Sequence, residues 1–182
     1  ESLKIPGHYQ ASKKIETLRF RIYDIEKRFF TDFNKPLLPA GIYGLTAEKF
    51  SKGMSNIEVV EQMIEGGISI VQYREKHTRK DFAEMYQECR KIRELTAAND
   101  VLFIVNDYVE LALMVEADGI HIGQDDYPVA EVKKCLPDNM IVGLSTHSPE
   151  QARQAVKSGV DYIGVGPIFS TDTKENLCDA VG

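Results

Sequence analysis

Gln72, Arg74 and Lys76 stand at alternate positions in Ser69-Ile70-Val71-Gln72-Tyr73-Arg74-Glu75-Lys76. The run that leads into them is apolar and β-branched, which reads as a strand, and side chains two apart on a strand share a face. One amide and two cations would therefore line up on one side as the strand leaves the core. An exposed edge strand with a polar face is the plainer reading. Ile68, Ile70 and Val71 argue against it, because such a run reads as buried on both faces. A buried strand that ends in two cations suits a polar ligand, an anion first.

Other residues with chemistry in them also follow apolar runs. Asp107 comes after Val101–Val105 and beside Asn106, and Asp126 follows the next apolar run, in Gly123-Gln124-Asp125-Asp126. Two carboxylates on one rim suit Mg²⁺, a hard cation that takes oxygen ligands and shares them with phosphates. Each could equally cap the helix after it, and Asp125 competes with Asp126. The run Gly164-Val165-Gly166-Pro167-Ile168-Phe169-Ser170-Thr171-Asp172-Thr173-Lys174 offers two threonine hydroxyls and an ammonium, donors that suit phosphate oxygens. Its composition fits an ordinary mobile loop as well. His121 alternates with Ile120 and Ile122 and so points away from them, either as a satisfied core histidine or toward a ligand. Ser145 and His147 lie two apart, but no third orienting group or nucleophile elbow accompanies them, so nucleophilic catalysis is not the expectation.

The elements that must position these residues follow a βα rhythm from Gly41 onward. Strands are expected at Gly41–Thr46, over the Gln72 run, and at Val101–Val105, Gly119–Ile122, Met140–Leu144 and Tyr162–Val165. Helices fall between them. Ser55 or Asn56 caps the first, which runs to Gly66-Gly67 with Ile57, Val60 and Ile64 inward. Thr78-x-x-Asp81 resembles a capping box for the second, whose stripe is Phe82, Met85, Tyr86, Cys89, Ile92 and Leu95. A short helix spans Val109–Val115, and Pro128 suits the first turn of another that ends near Cys135. Ser148-Pro149-Glu150-Gln151 combines an N-cap, a first-turn proline and a capping-box glutamine for the last. Apolar strands alternating with amphipathic helices imply a parallel sheet under helices, with its site at the carboxyl ends of the strands. Short units in series, with no G-x-G-x-x-G after the first strand, favour a βα barrel over an open dinucleotide-binding sheet.

Composition narrows the partners. A formal charge of −6 over 182 residues, with an isoelectric point near 5.3, argues against nucleic acid or an anionic membrane. No apolar run approaches the ~18 residues of a membrane span, and no signal-peptide pattern opens the chain, so a cytoplasmic location is expected. Cys89, Cys135 and Cys178 are scattered and odd in number, without metal-ligand spacing. Ahead of the βα region, Ile15, Leu18, Ile22, Ile25 and Phe29 keep helical spacing, and Pro36 and Pro39 mark a linker. Residues 1–40 thus read as a helical extension and 41–182 as the barrel domain. The extension's apolar stripe (residues 13–33) could join a second copy into a homo-oligomer.

Five segments together resemble the thiamin phosphate synthase family. They are Val71-Gln72-Tyr73-Arg74-Glu75-Lys76, Val105-Asn106-Asp107, Ala117 through Asp126, Gly143-Leu144-Ser145-Thr146-His147-Ser148, and Gly164 through Pro167 leading to Thr171-x-Thr173-Lys174. They occur in the family's order and near its spacing. The resemblance implies a (β/α)8 TIM-barrel type fold, a transferase in thiamin biosynthesis. Its substrates would be 4-amino-5-hydroxymethyl-2-methylpyrimidine diphosphate and a thiazole phosphate, with diphosphate released. It implies Mg²⁺ on Asp107 and Asp126. It implies diphosphate contacts from Arg74, Lys76, Ser145, Thr171, Thr173 and Lys174, with Arg74, Lys76, Ser145 and Lys174 acting in catalysis. Gln72 and Asn106 would meet the pyrimidine, with His121 near the same pocket. Ser170 replaces a usual proline, and Ala47 a common acid. The chain ends after six strand ends where such a barrel has eight units. It is therefore expected to be incomplete at the C-terminus, with the diphosphate half of the site but not the acceptor half. A thiazole tautomerase on the same fold, or a non-catalytic diphosphate-binding module, are the alternatives.

Overall fold

Six strands form one sheet in the order in which the chain lays them down: β1 (Tyr43–Leu45), β2 (Ile70–Tyr73), β3 (Leu102–Asn106), β4 (Gly119–Ile122), β5 (Ile141–Thr146) and β6 (Tyr162–Val165). All neighbours are parallel. The helices between them are α2 (Asn56–Glu65), α3 (Phe82–Ala98), α4 (Val109–Met114), α5 (Val129–Cys135) and α6 (Pro149–Ser158), numbered after α1 (Tyr9–Asn34). The computed structural model describes residues 9–76, 78–169 and 181. The chain divides into two units, 1–35 and 36–182. The first is α1, a 26-residue helix on which Ile15, Leu18, Ile22 and Ile25 are all more than half exposed. Among the described residues no helix is long and apolar enough to cross a membrane.

The sheet has two apolar faces because parallel strands are covered on both sides. Val71, Tyr73, Phe103, Val105, Ile120, Ile122, Val142 and Leu144 pack outward with helix residues Val60, Met85, Cys89, Ile92 and Leu111. Ile70, Ile104 and Ile141 pack inward with Leu38, Tyr43, Leu102 and Tyr162. The inner face is concave. In a flat sheet, five steps of about 4.8 Å would put β1 and β6 about 24 Å apart, beyond the joint reach of two tyrosines. Yet the hydroxyls of Tyr43 and Tyr162 are 2.7 Å apart. The sheet therefore curls into a half-barrel. Gly143 makes the ring of Tyr162 fit, since a Cβ there would lie 2.1 Å from Tyr162 Cζ.

Local signals decide where the helices begin, with some departures from the expected caps. Ser55 and Glu58 form the reciprocal capping box of α2. For α3 the box is Asp81 with Glu84, three residues later than Thr78. Phe82 consequently becomes the first helical residue and is 54% exposed, standing edge-on to Tyr108 rather than in the core. Ser148 caps α6 as its sequence implies, but Gln151 accepts from the His147 backbone instead of closing the box. Pro128 stands just before α5, at its N-cap.

One short pattern occurs twice. Ala117-Asp118-Gly119-Ile120 and Val160-Asp161-Tyr162-Ile163 each put an aspartate just before a strand. Asp118 Oδ2 accepts from Phe103 N at 2.8 Å and from Arg93 Nη1 at 2.8 Å, and Asp161 Oδ2 accepts from Val142 N at 2.7 Å. Each carboxylate thus satisfies a buried amide at the start of the neighbouring strand. Replacing Asp118 with Ala leaves Phe103 N–H without a partner. Urea unfolding of Asp118→Ala is expected to show a loss of about 1.5–3 kcal/mol, and Asp118→Asn a smaller one.

Cys89 is fully buried and Cys135 exposed. Burial, and then the nearby Glu88, pushes the Cys89 thiol well above its ordinary value. The thiolate is the nucleophile, so its fraction at pH 8 is negligible. Iodoacetamide at pH 8 is expected to label Cys135 in the folded protein and Cys89 only after denaturation, as peptide masses will report.

Candidate active site

The polar residues singled out in the sequence gather at the carboxyl ends of the strands, and strand parity sorts them. Along β2 and its exit, Tyr73 and Glu75 project toward the helices, whereas Gln72 and Arg74 take the opposite face. Glu75 is 5% exposed, and its Oε1 accepts from Glu48 N at 2.6 Å and from Asn56 Nδ2 at 3.0 Å. Tyr73 Oη donates to Glu88 Oε2 at 2.6 Å, and Asn56 reaches that same oxygen at 3.2 Å. Lys80 pairs with both Glu48 and Glu88. Burial alone would lower the Lys80 ammonium, but its two carboxylates outweigh it and leave the group raised. This cluster ties the strand end to the β1–α2 loop and to α3.

On the other side of the same strand end the cations are differently engaged. Lys76 Nζ lies 2.7 Å from Asp107 Oδ2 and is half exposed. No hydrogen bond or ion pair among the described residues engages the Arg74 guanidinium, while its backbone N–H donates to Thr46 Oγ1 at 3.3 Å. Beside it opens a cleft of about 570 Å³, lined also by Thr46, Ala47, Phe50, Met54 and Val59. Asp107 does not cap α4. It has φ +64°, a left-handed conformation costly for a residue with a Cβ, and its N–H donates to His121 O at 2.9 Å. Asp126 Oδ2 accepts from Gly123 N at 2.6 Å. Loss of hydration, and then the neighbouring Asp107, hold the Asp126 carboxyl above its usual range against the Gly123 N–H and Lys76, which lower it. The two carboxylates thus share one neighbourhood. Among the described residues no group of three His, Cys, Asp or Glu could hold a metal ion.

Deeper in the concave face the side chains are linked. Gln72 is 2% exposed, and its Nε2 donates to Tyr43 Oη at 2.8 Å. Tyr43 meets Tyr162, Tyr162 Oη lies 3.0 Å from His121 Nδ1, and His121 Nε2 lies 2.9 Å from Ser145 Oγ. Asn106 is paired in register with His121 and is 8% exposed. Gln124 Nε2 donates to Ser145 O at 2.6 Å, closing the β4 loop over β5. His147 is directed elsewhere, with Nδ1 on Gly166 O. Ser170, Thr171, Thr173 and Lys174 lie outside the described residues.

The structure thus links Gln72, His121 and Ser145 inside, with Asn106 in register beside His121, and puts Lys76, Asp107 and Asp126 in one neighbourhood, while Arg74 at the same strand end faces the cleft by the β1–α2 loop. Tyr43, Glu75 and Tyr162 join them and were not singled out from sequence. A clue existed for Tyr162: a glycine inside a strand, here Gly143, marks a close approach.

Parallel βα units in chain order, with cations, paired carboxylates and a hydroxyl at the strand ends, define an α/β protein whose polar residues gather at the carboxyl ends of its strands. The chain belongs to the thiamine monophosphate synthase family, whose family model matches residues 42–182. It is 61% identical over 146 residues to thiamine-phosphate synthase of Pelotomaculum thermopropionicum, covering 80% of this chain and 66% of that protein. It is 56% identical over 141 residues to the Caldicellulosiruptor saccharolyticus thiamine-phosphate synthase, covering 78% and 63%. Among solved structures it resembles thiamine phosphate pyrophosphorylase from Pyrococcus furiosus, with TM-score 0.66 and 38% identity over 71% of this chain and 61% of that one. The chain spans about two thirds of the length of the relatives it matches.

If Glu75 ties the β1–α2 loop to the strand end, Glu75→Ala should raise amide exchange at Glu48 about tenfold or more and lower stability by about 1–3 kcal/mol. Unchanged protection at Glu48 would refute the anchoring role.

Proposed function

We propose that the protein is a thiamin phosphate synthase. It would join 4-amino-5-hydroxymethyl-2-methylpyrimidine diphosphate to a thiazole phosphate and release diphosphate. The observation that carries the reading is the rim itself: Arg74 open beside a cleft, Lys76 on Asp107, Asp126 in the same neighbourhood, and Ser145 next along the strand ends. We further infer that β1–β6 are six of the eight strands of a (β/α)8 barrel, since they curl in chain order without the reversal found in open dinucleotide-binding sheets.

The residues suit a dissociative reaction. The bond between the pyrimidine methylene and the diphosphate oxygen breaks first. Its electron pair leaves with diphosphate, and the thiazole nitrogen then forms the new C–N bond. Charge develops on the departing oxygen, so preplaced donors help most in the transition state. Arg74 supplies a fork of N–H donors, Lys76 a point charge and Ser145 a hydroxyl. Asn106 would meet the pyrimidine, and Gln72 would offer it the amide atoms not committed to Tyr43. A divalent cation fits the donor set: two carboxylates share a neighbourhood that also holds Lys76, the few oxygen ligands that Mg²⁺ commonly takes alongside substrate phosphates. Asp107 and Asp126 would hold it, and bound there it would supply further positive charge to the leaving group.

In protein that carries all the βα units of its relatives, incubation with both substrates and Mg²⁺ should yield thiamin phosphate and diphosphate in equal amounts, and residues 1–182 should bind the pyrimidine diphosphate; no coupling by the longer protein at any Mg²⁺ concentration would overturn the assignment. Arg74→Ala is expected to lower kcat by ~10²–10³-fold, the usual cost of one preplaced donor. Asp107→Asn should raise the Mg²⁺ concentration for half-maximal rate at least ~10-fold, and an unchanged magnesium dependence would remove Asp107 from the ligand set.

A further inference from the structure

Arg74 and Lys76 lie just past the sheet. The ladders from β2 to β1 and β3 end at Gln72 and Tyr73, so other bonds must set where the two cationic side chains begin. The Arg74 N–H donates to Thr46 Oγ1 at 3.3 Å, and Lys76 O accepts from Arg79 N at 2.9 Å. Between them Glu75 turns its side chain into the helix layer. Asn56, the first residue of α2, meets it there and is fully buried. Asn56 Nδ2 donates to Glu75 Oε1 at 3.0 Å and to Glu88 Oε2 on α3 at 3.2 Å. An amide nitrogen carries two hydrogens, and here each goes to a carboxylate. The opposite flip would set Oδ1 against both carboxylates, so the neighbours decide the orientation. In consequence Asn56 Oδ1 is buried with no hydrogen-bond partner among the described residues. A buried acceptor left empty destabilises a fold, and a wholly apolar contact between α2, α3 and the strand end would avoid that cost. The polar contact stands instead directly behind the two cations, which points to a part in placing them.

We propose that Asn56 is a positioning residue: by giving its two amide hydrogens to Glu75 and Glu88 it locks the stretch beyond β2 to α2 and α3, so that Arg74 and Lys76 meet a diphosphate from fixed starting points. The diphosphate rests on the functional reading above; the locking does not. Donors already in place need no ordering when the anion arrives. The ionisable groups of this network are Glu48, Glu75, Glu88, Lys80 and Tyr73. Tyr73 Oη donates to Glu88 Oε2 at 2.6 Å, Lys80 pairs with Glu48 and Glu88, and Glu48 N donates to Glu75 Oε1 at 2.6 Å. Asn56 is the uncharged member that reaches both the strand end and α3.

Asn56→Asp keeps the shape and changes the donors. Ionised, the new carboxylate faces Glu75 and Glu88 with no hydrogen to give; protonated, it keeps one. Beside two carboxylates it holds its proton to higher pH than usual, so the defect should be small at pH 5 and full at pH 8. Asn56→Ala, with no donor at any pH, is the control whose defect is the same at both. Each variant is compared with the unaltered chain at the same pH. Amide exchange reads the locking. At pH 8 the Arg74 and Glu48 amides of Asn56→Asp should exchange about tenfold or more faster, while the amides of β4 keep their rates. Unchanged rates at Arg74 and Glu48, or a rise shared equally by β4, overturn the locking. Calorimetric titration of residues 1–182 with inorganic diphosphate and Mg²⁺ reads the cations. Asn56→Asp should bind about tenfold more weakly at pH 8 and nearly equally at pH 5. That penalty should shrink in an Arg74→Ala background, because the two residues act as one unit. Full affinity in Asn56→Asp at pH 8, or a penalty of the same size without Arg74, overturns the positioning role. An unaltered chain that binds no diphosphate refutes the functional reading alone, and the exchange rates still decide the locking.

Discussion

Two phenol oxygens 2.7 Å apart join the first strand of the sheet to the sixth. That contact requires the curl, and the curl creates an inside. A parallel sheet laid down in chain order can bend one way throughout, because no strand reverses the order. Once bent, the inward residues of distant strands become neighbours. Gln72 on β2, His121 on β4 and Ser145 on β5 share one hydrogen-bonded line only because β1 and β6 approach each other across the concave face.

The same strand end serves two environments without mixing them. Arg74 lines an open cleft, and Lys76, half exposed, pairs with Asp107. Glu75 between them is directed into the helix layer, where two N–H donors satisfy it. Had the carboxylate stood on the inner side, it would have neutralised the cations it now supports from behind. A buried carboxylate is tolerable here because its Oε1 accepts from two N–H donors. The left-handed backbone at Asp107 is comparable: a local strain held by the surrounding bonds, at the residue that meets Lys76.

Much of this was legible in the residues. The βα rhythm, the strand positions and the rim cluster follow from apolar runs punctuated by caps, and long-range neighbours such as Lys76 and Asp107 follow once parallel strands are assumed. What was hidden depended on distance rather than pattern. Tyr43 and Tyr162 are ordinary strand tyrosines until the curl brings them together. Glu75 stands between two cations, and nothing local announces Asn56 and Glu48 as its partners. The α3 cap was misplaced for a smaller reason: Thr78 and Asp81 each offer an oxygen at cap spacing, and Asp81 prevails because Glu84 closes the box behind it. Gln72, read as the first member of a ligand-facing row, also gives its Nε2 to Tyr43.

The alternation along β2 has a genetic corollary. A side-chain period of two means that inserting or deleting a single codon between Ile70 and Lys76 would exchange every inward group for an outward one. The carboxylate of Glu75 would turn to the inner face, and Arg74 would be pressed into the helix layer in its place. Point substitutions there can be graded in their effects, whereas a one-residue change of length inverts the electrostatic sign of the site in a single event. The turn around Gly53, where the backbone is already left-handed and a side chain would meet open space, carries no such parity to lose. Length variation in this half-barrel should therefore accumulate in its loops and spare the strand that holds the cations.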